Sequence, residues 1–146
     1  MHQRHHQLGA LIAQTGRQWR QTLDKQLQPF GLTQATWLPL WHLAQADEPL
    51  RQKDLAALLA VDGSAVVRIL DTLEKQQLIE RREGTDRRAK TLHLTDKGEQ
   101  VTQKLTEVVQ ALRQKVLAPL DEQEMDTTIN VLQTVLASLE AEAAQE

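Results

Sequence analysis

The sequence predicts a mainly α-helical chain with one small β-hairpin, arranged as a winged helix-turn-helix whose terminal helices form a dimerisation lobe. Three observations predict it. Residues 52–76 read as two short amphipathic helices separated by a tight turn. Residues 78–94 read as two strands joined by an arginine-rich loop. Apolar residues at helical spacing run far along both ends of the chain, over 8–27 and 101–139.

Taken in order, Leu8, Leu11, Ile12, Trp19, Leu23 and Leu27 fall on one face and predict a first helix over 8–27, stopped by Pro29 and Gly31. Thr33 is placed to cap a second helix over 34–45. Pro39 lies inside it and is expected to kink it or shift its start. Residues 46–49 turn, and Leu50 and Arg51 form a stub of strand. A third helix over 52–60 is expected to face Leu55, Leu58 and Leu59 inward. Val61 to Gly63 is a turn, and a fourth helix spans 64–76. Strands over 78–83 and 89–94 flank a loop over 84–88, where Gly84 and Asp86 suit a hairpin tip. Thr95 caps a long fifth helix reaching Leu117, and Pro119 interrupts it. Asp121 with Glu124 starts the last helix in capping-box fashion. The whole reads as one domain over 1–146. Residues 1–31 and 118–146 supply dimerisation helices, 50–98 the winged helix-turn-helix, and 95–118 a connecting helix. The stripes Val101, Leu105, Val108, Leu112, Val116 and Met125, Ile129, Leu132, Leu136, Leu139 extend past what a compact winged-helix lobe can cover. A homodimer is therefore expected in preference to an intrachain bundle.

At 146 residues a core can form without covalent staples. The chain has no cysteine, which excludes disulfides and thiolate chemistry. No apolar run approaches the ~18 residues of a membrane helix, and residues 1–18 lack the apolar centre of a secretory signal. A cytoplasmic protein without a membrane partner is expected. The net charge of −3 argues against a polyanionic partner until its distribution is read. Asp121 to Glu146 holds seven acidic and no basic residues, which leaves +4 on the rest of the chain. Between Arg81 and Lys90, five basic residues stand against two acidic ones. Local charge governs approach, because distant charges are screened beyond ~8 Å.

On a helical wheel over 64–76, Val66, Ile69, Leu70 and Leu73 gather on one side and Ser64, Arg68, Asp71, Thr72 and Lys75 on the other. An isolated helix of this kind would be an ordinary one with a solvated polar face. A preceding helix, a tight turn and a following basic hairpin make it a reading helix for a DNA major groove. Arg68 is central on the free face, within reach of a guanine edge or a phosphate. Ser64 stands at the helix start, where phosphate is favoured. Ala65 and Val67 flank it as candidates for thymine methyl contacts. In the loop, Arg87, Arg88 and Lys90 suit the negative potential of a minor groove, and Asp86 is placed to hold an arginine across the tip.

Nothing in the sequence supplies a catalytic set, a phosphate-cradling glycine loop or a cofactor site. His2, His5 and His6 read as solvated tail histidines rather than metal ligands. The chain has four aromatic side chains: Trp19, Phe30, Trp37 and Trp41. Trp37 and Trp41 share a helix face, and Trp19 adjoins Arg20. Trp19, Arg20, Trp37 and Trp41 would suit a small aromatic carboxylate, with His42 a further polar candidate, although packing is the commoner use of buried tryptophan.

The segments LTQATWLPLWHL (32–43), DLAALLAVDGSAVVRILDTLEKQQLIERR (54–82) and DRRAKTLHLTDKG (86–98) resemble the MarR family of bacterial regulators, and within it the SlyA-like branch. The resemblance implies an obligate dimer with an interface built from both termini. It implies recognition helices in successive major grooves and wings in flanking minor grooves. It makes Arg88 the minor-groove arginine, Asp86 its support and Arg68 a DNA contact. It also implies a pocket between the two lobes, where relatives bind phenolic acids. Three departures stand out. Gln77 replaces the usual glycine after the recognition helix, Val67 replaces a frequent threonine, and Pro39 is unusual in the second helix. The expected function is sequence-specific DNA binding to a pseudo-palindromic operator, released by a small aromatic acid. A winged-helix module for protein partners is the alternative.

Overall fold

Caps written into the sequence set most element boundaries in the computed structural model, which describes residues 1–83 and 90–145. Helix α1 runs His2–Leu27 and ends in a 3₁₀ turn, Gln28–Phe30. It begins six residues before the first apolar position of its stripe. Residues 2–7 contain no glycine or proline, so extension of an existing helix is cheap even through polar residues. Helix α2, Gln34–Gln45, starts where Thr33 predicts, with the Thr33 N–H donating to Thr36 Oγ1 at 2.9 Å. Pro39 does not shift that start. It forfeits one bond to the preceding turn, but its ring is fully buried, which offsets the loss.

Strand β1, Leu50–Arg51, leads into α3, Gln52–Leu59, where the Asp54 carboxylate accepts the Arg51 N–H at 3.0 Å. Leu55 and Ala56 are buried and Leu59 is half-buried, whereas Leu58 is 51% exposed. The expectation that Leu58 faces inward is corrected by helix geometry. At 100° per residue, Leu55, Leu59 and Ala56 span an arc of about 100° that leaves Leu58 outside it. Ala60 then closes α3 in the left-handed region (φ 54°), and the chain turns into α4, Gly63–Lys75. Strands β2 (Ile79–Glu83) and β3 (Lys90–Leu94) follow, then α5 (Asp96–Leu117) and α6 (Glu122–Ala144). Thr95 caps α5 through the Gly98 N–H, and Asp121 and Glu124 close a reciprocal capping box at α6.

The sheet is antiparallel with strand order β1-β3-β2. Leu50 pairs with Leu92 on one side of β3, and Arg81 pairs with the same Leu92 on the other. The chain divides into two compact units, residues 1–110 and 111–146, where sequence reading groups everything into one domain. In the first unit, Leu27, Leu40, Leu55, Leu70, Leu73, Ile79 and Leu105 are fully buried. Each such side chain contributes about 1.5–3 kcal/mol, enough to fix α3, α4 and the hairpin as a scaffold. In the second unit no residue of α6 is buried, and Ile129, Leu132, Leu136 and Leu139 of its stripe are all exposed in the single chain. No helix among the described residues is long and apolar enough to cross a membrane.

Candidate nucleic-acid interface

Helix α4 divides as the wheel predicts. Val66, Leu70 and Leu73 are buried, packing toward α3, α2 and β2, while Ser64, Arg68, Asp71, Thr72 and Lys75 are exposed. Ala65 and Val67 are half-buried, with partial access beside Arg68. Among the described residues the Arg68 side chain makes no hydrogen bond or salt bridge, although its charge acts on Asp62. The Thr72 hydroxyl donates back to the Arg68 carbonyl at 3.0 Å.

Asp62 caps the start of α4, immediately before Gly63. Its Oδ1 accepts the Ala65 N–H at 2.8 Å and the Ser64 hydroxyl at 2.9 Å. The Ala65 amide, then the Ser64 hydroxyl, hold the Asp62 carboxyl below its usual 3.8. A carboxylate therefore already sits on the amides that were expected to receive a phosphate, and it engages the Ser64 proton as well. The Ser64 hydroxyl is thus bonded within its own turn in the single chain. The signal was present in the sequence: Asp62 stands three residues before Ala65, the spacing of an aspartate cap.

The hairpin's basic residues are not equivalent. Alternation along β2 puts Ile79, Arg81 and Glu83 on one face and Glu80 and Arg82 on the other. Arg81 is drawn toward α4, with Nη2 2.8 Å from Asp71 Oδ1 and Nη1 3.6 Å from Glu74 Oε2. Arg82 pairs with Glu80 on its own strand. Lys90 is exposed and registers opposite Glu83. Asp86, Arg87 and Arg88 lie outside the described residues.

The C-terminal end of α4 is secured by a left-handed Gln77 (φ 63°). The Gln77 N–H donates to the Glu74 carbonyl at 2.9 Å and the Leu78 N–H to the Leu73 carbonyl at 3.0 Å. These two bonds, with Leu73 and Leu78 both buried, make a Schellman closure built on a residue other than glycine. The start of α5 is bonded to the same point. The Thr95 hydroxyl donates to the Gln77 carbonyl at 2.6 Å, and Lys97 Nζ donates to the Gln76 carbonyl at 3.0 Å.

The aromatic residues line none of the cavities formed by residues 43–50 with β3 or by the start of α6. Trp37 is 5% exposed and its Nε1–H donates to Asp24 Oδ1 at 2.7 Å, which ties α2 to α1. Its ring is packing surface in the single chain. Trp19 and Trp41 are half-buried and Arg20 is exposed. A cleft of about 400 Å³ does open beneath the sheet, lined by residues such as Leu43, Pro49, Leu50, Leu92 and His93, and none of the four expected ligand residues lines it. His42 is half-buried, and burial lowers its pKa from 6.5. The His2 and His5 rings meet edge to face, with centroids 6.5 Å apart. Among the described residues no group of three or more His, Cys, Asp or Glu is placed to hold a metal ion.

Comparison with known proteins adds to this geometry. A sequence model of the MarR family matches residues 30–89, the span from the 3₁₀ turn after α1 to the residue before β3. The chain is similar over 92% of its length to a solved transcriptional regulator designated PA3341, covering 98% of that protein at 40% identity with a TM-score of 0.85. It is 28% identical to Staphylococcus aureus MepR in a structure solved as a complex with DNA, with 89% of this chain and 96% of that one covered and a TM-score of 0.79. Wild-type MarR of E. coli in its apo form is also 28% identical, with 88% and 96% covered and a TM-score of 0.72. With the helix-turn-helix, the hairpin and the matched span in agreement, the chain belongs to the MarR family of transcriptional regulators.

Proposed function

We propose that the protein is a sequence-specific DNA-binding regulator that acts as a homodimer on a pseudo-palindromic operator in the cytoplasm. The observation that carries this reading is the exposed face of α4. It presents Arg68, Thr72 and Lys75 beside a basic hairpin, in a chain 28% identical to MepR, itself solved on DNA. Arg68 is the residue for base readout. Thr72 and Lys75 extend the contact along the groove, and Ala65 and Val67 supply apolar contact. In the hairpin, Lys90 serves the flanking backbone, and the sequence motif over 86–98 supports Arg88 in the minor groove, Asp86 and Arg87 beside it, and assignment to the SlyA-like branch. The adjoining Trp19 and Arg20 support release by a small aromatic acid.

Selection of bound duplexes from a random pool, repeated with aromatic acids, tests the reading. Two half-sites about one helical turn apart, ~34 Å, are expected. Affinity should fall roughly 10³-fold or more between 50 and 200 mM salt if several phosphates are contacted. A flat salt response with no enriched sequence favours a protein-binding winged helix instead. Arg68→Ala should cost about 1–3 kcal/mol of operator affinity and relax preference at one base pair in each half-site. Unchanged affinity and preference remove Arg68 from the readout.

A further inference from the structure

Arg81 stands apart from its neighbour Arg82, which pairs on its own strand. It is only 19% exposed, and its guanidinium reaches across from β2 to two carboxylates one turn apart on α4. Nη2 takes Asp71 and Nη1 takes Glu74, a division that needs a planar fork and that a lysine could not reproduce. The third guanidinium nitrogen, Nε, is buried without an acceptor among the described residues, so the orientation is set by the two carboxylates at a cost elsewhere. Asp71 and Glu74 neighbour Thr72 and Lys75 on the C-terminal half of α4.

We propose that Arg81 is the positioning residue of the DNA-reading surface, fixing the hairpin to α4 through its two carboxylate partners. This rests on the DNA-binding function proposed above. In it Arg81 touches no DNA. It sets the separation between the helix that enters one groove and the hairpin that reaches the next. The ladder between β2 and β3 transmits that constraint, because Arg81 and Leu92 are paired in register and Leu92 is buried.

The test uses the full chain on the duplex it selects, with hydroxyl-radical footprinting and titration of Arg81→Gln and of Asp71→Asn/Glu74→Gln. Each variant should weaken binding roughly tenfold and lose protection of the flanks while keeping the central footprint. A direct DNA contact by Arg81 makes the opposite demand. Arg81→Gln would weaken binding, while removal of the two carboxylates would tighten it, and that divergence overturns the proposal. Asp71 and Glu74 are substantially exposed, so their double variant carries the test even if Arg81→Gln fails to fold. Should the wild-type chain bind no duplex, the DNA-binding reading fails. The coupling is then read from amide exchange of residues 79–83 and 90–94, which should speed up in the carboxylate variant, and unchanged exchange refutes it.

Discussion

Gln77 holds a φ of 63°, a region where a side chain crowds its own backbone, because the Schellman bonds of α4 and the Thr95 hydroxyl all depend on that turn. Gln77→Gly should therefore stabilise the protein by about 1 kcal/mol, read as a higher midpoint in urea without a change in slope. A lower midpoint would mean that the Gln77 side chain supplies more than the strain removes. His42 makes a prediction in pH. Burial lowers its pKa below 6.5, so the unfolded chain takes up a proton before the folded one does. Its contribution is complete above pH 6.5 and is lost as pH falls toward the folded pKa. Urea midpoints measured from neutrality downward should decline less steeply in His42→Gln, and parallel slopes would contradict the assignment. Single residues also show where sequence reading stops. Arg68 was legible because a wheel separates faces within one helix. Arg81 was not, because its partners lie on another element, although alternation along β2 places it on the Ile79 face.

At the level of elements, the junction of α4 and α5 holds the reading helix in place. A Cβ on Gly98 would lie 2.0 Å from the Leu78 carbonyl oxygen and 3.0 Å from its carbon, both backbone atoms. That approach lets the Thr95 N–H donate to the Leu78 carbonyl at 3.1 Å and the Thr95 side chain reach Gln77. Gly98→Ala should force α5 away from α4, at a cost of about 1–3 kcal/mol or more, and should weaken operator binding as α4 loses its support. A variant of wild-type stability and affinity would show that the contact relaxes freely. The glycine was noticed in sequence as part of a motif, but its reason was invisible there, since the clash is with a carbonyl twenty residues earlier. Helix starts were the reverse case. Thr95 and Asp121 announce their helices locally, through side chains that accept amides three residues on, and at Thr33 the N–H donates to the Thr36 hydroxyl. The start of α1 carries no such cap, and the first apolar residue is a poor proxy for it.

For the molecule as a whole, the unmet requirement is the cover for α6. Ile129, Leu132, Leu136 and Leu139 are 43–60% exposed in the single chain, as are Leu8, Leu11 and Ile12 of α1 to a similar degree. Burying a Leu or Ile fully is worth about 1.5–3 kcal/mol, so stripes of this length favour association over solvation. A second copy of the chain is the occupant that the proposed operator symmetry requires. Leu132→Glu/Leu136→Glu should convert the protein to a monomer in sedimentation at micromolar concentration. Neither residue is buried, so the helical circular dichroism of the first unit should persist. Affinity for an isolated half-site should stay near wild type, while affinity for the full operator should fall by about 10²–10⁴, the gain that linking two reading heads provides. The two measurements separate association from folding. A variant that stays dimeric places the interface elsewhere, and a monomer with undiminished operator affinity would mean that each chain reads DNA alone.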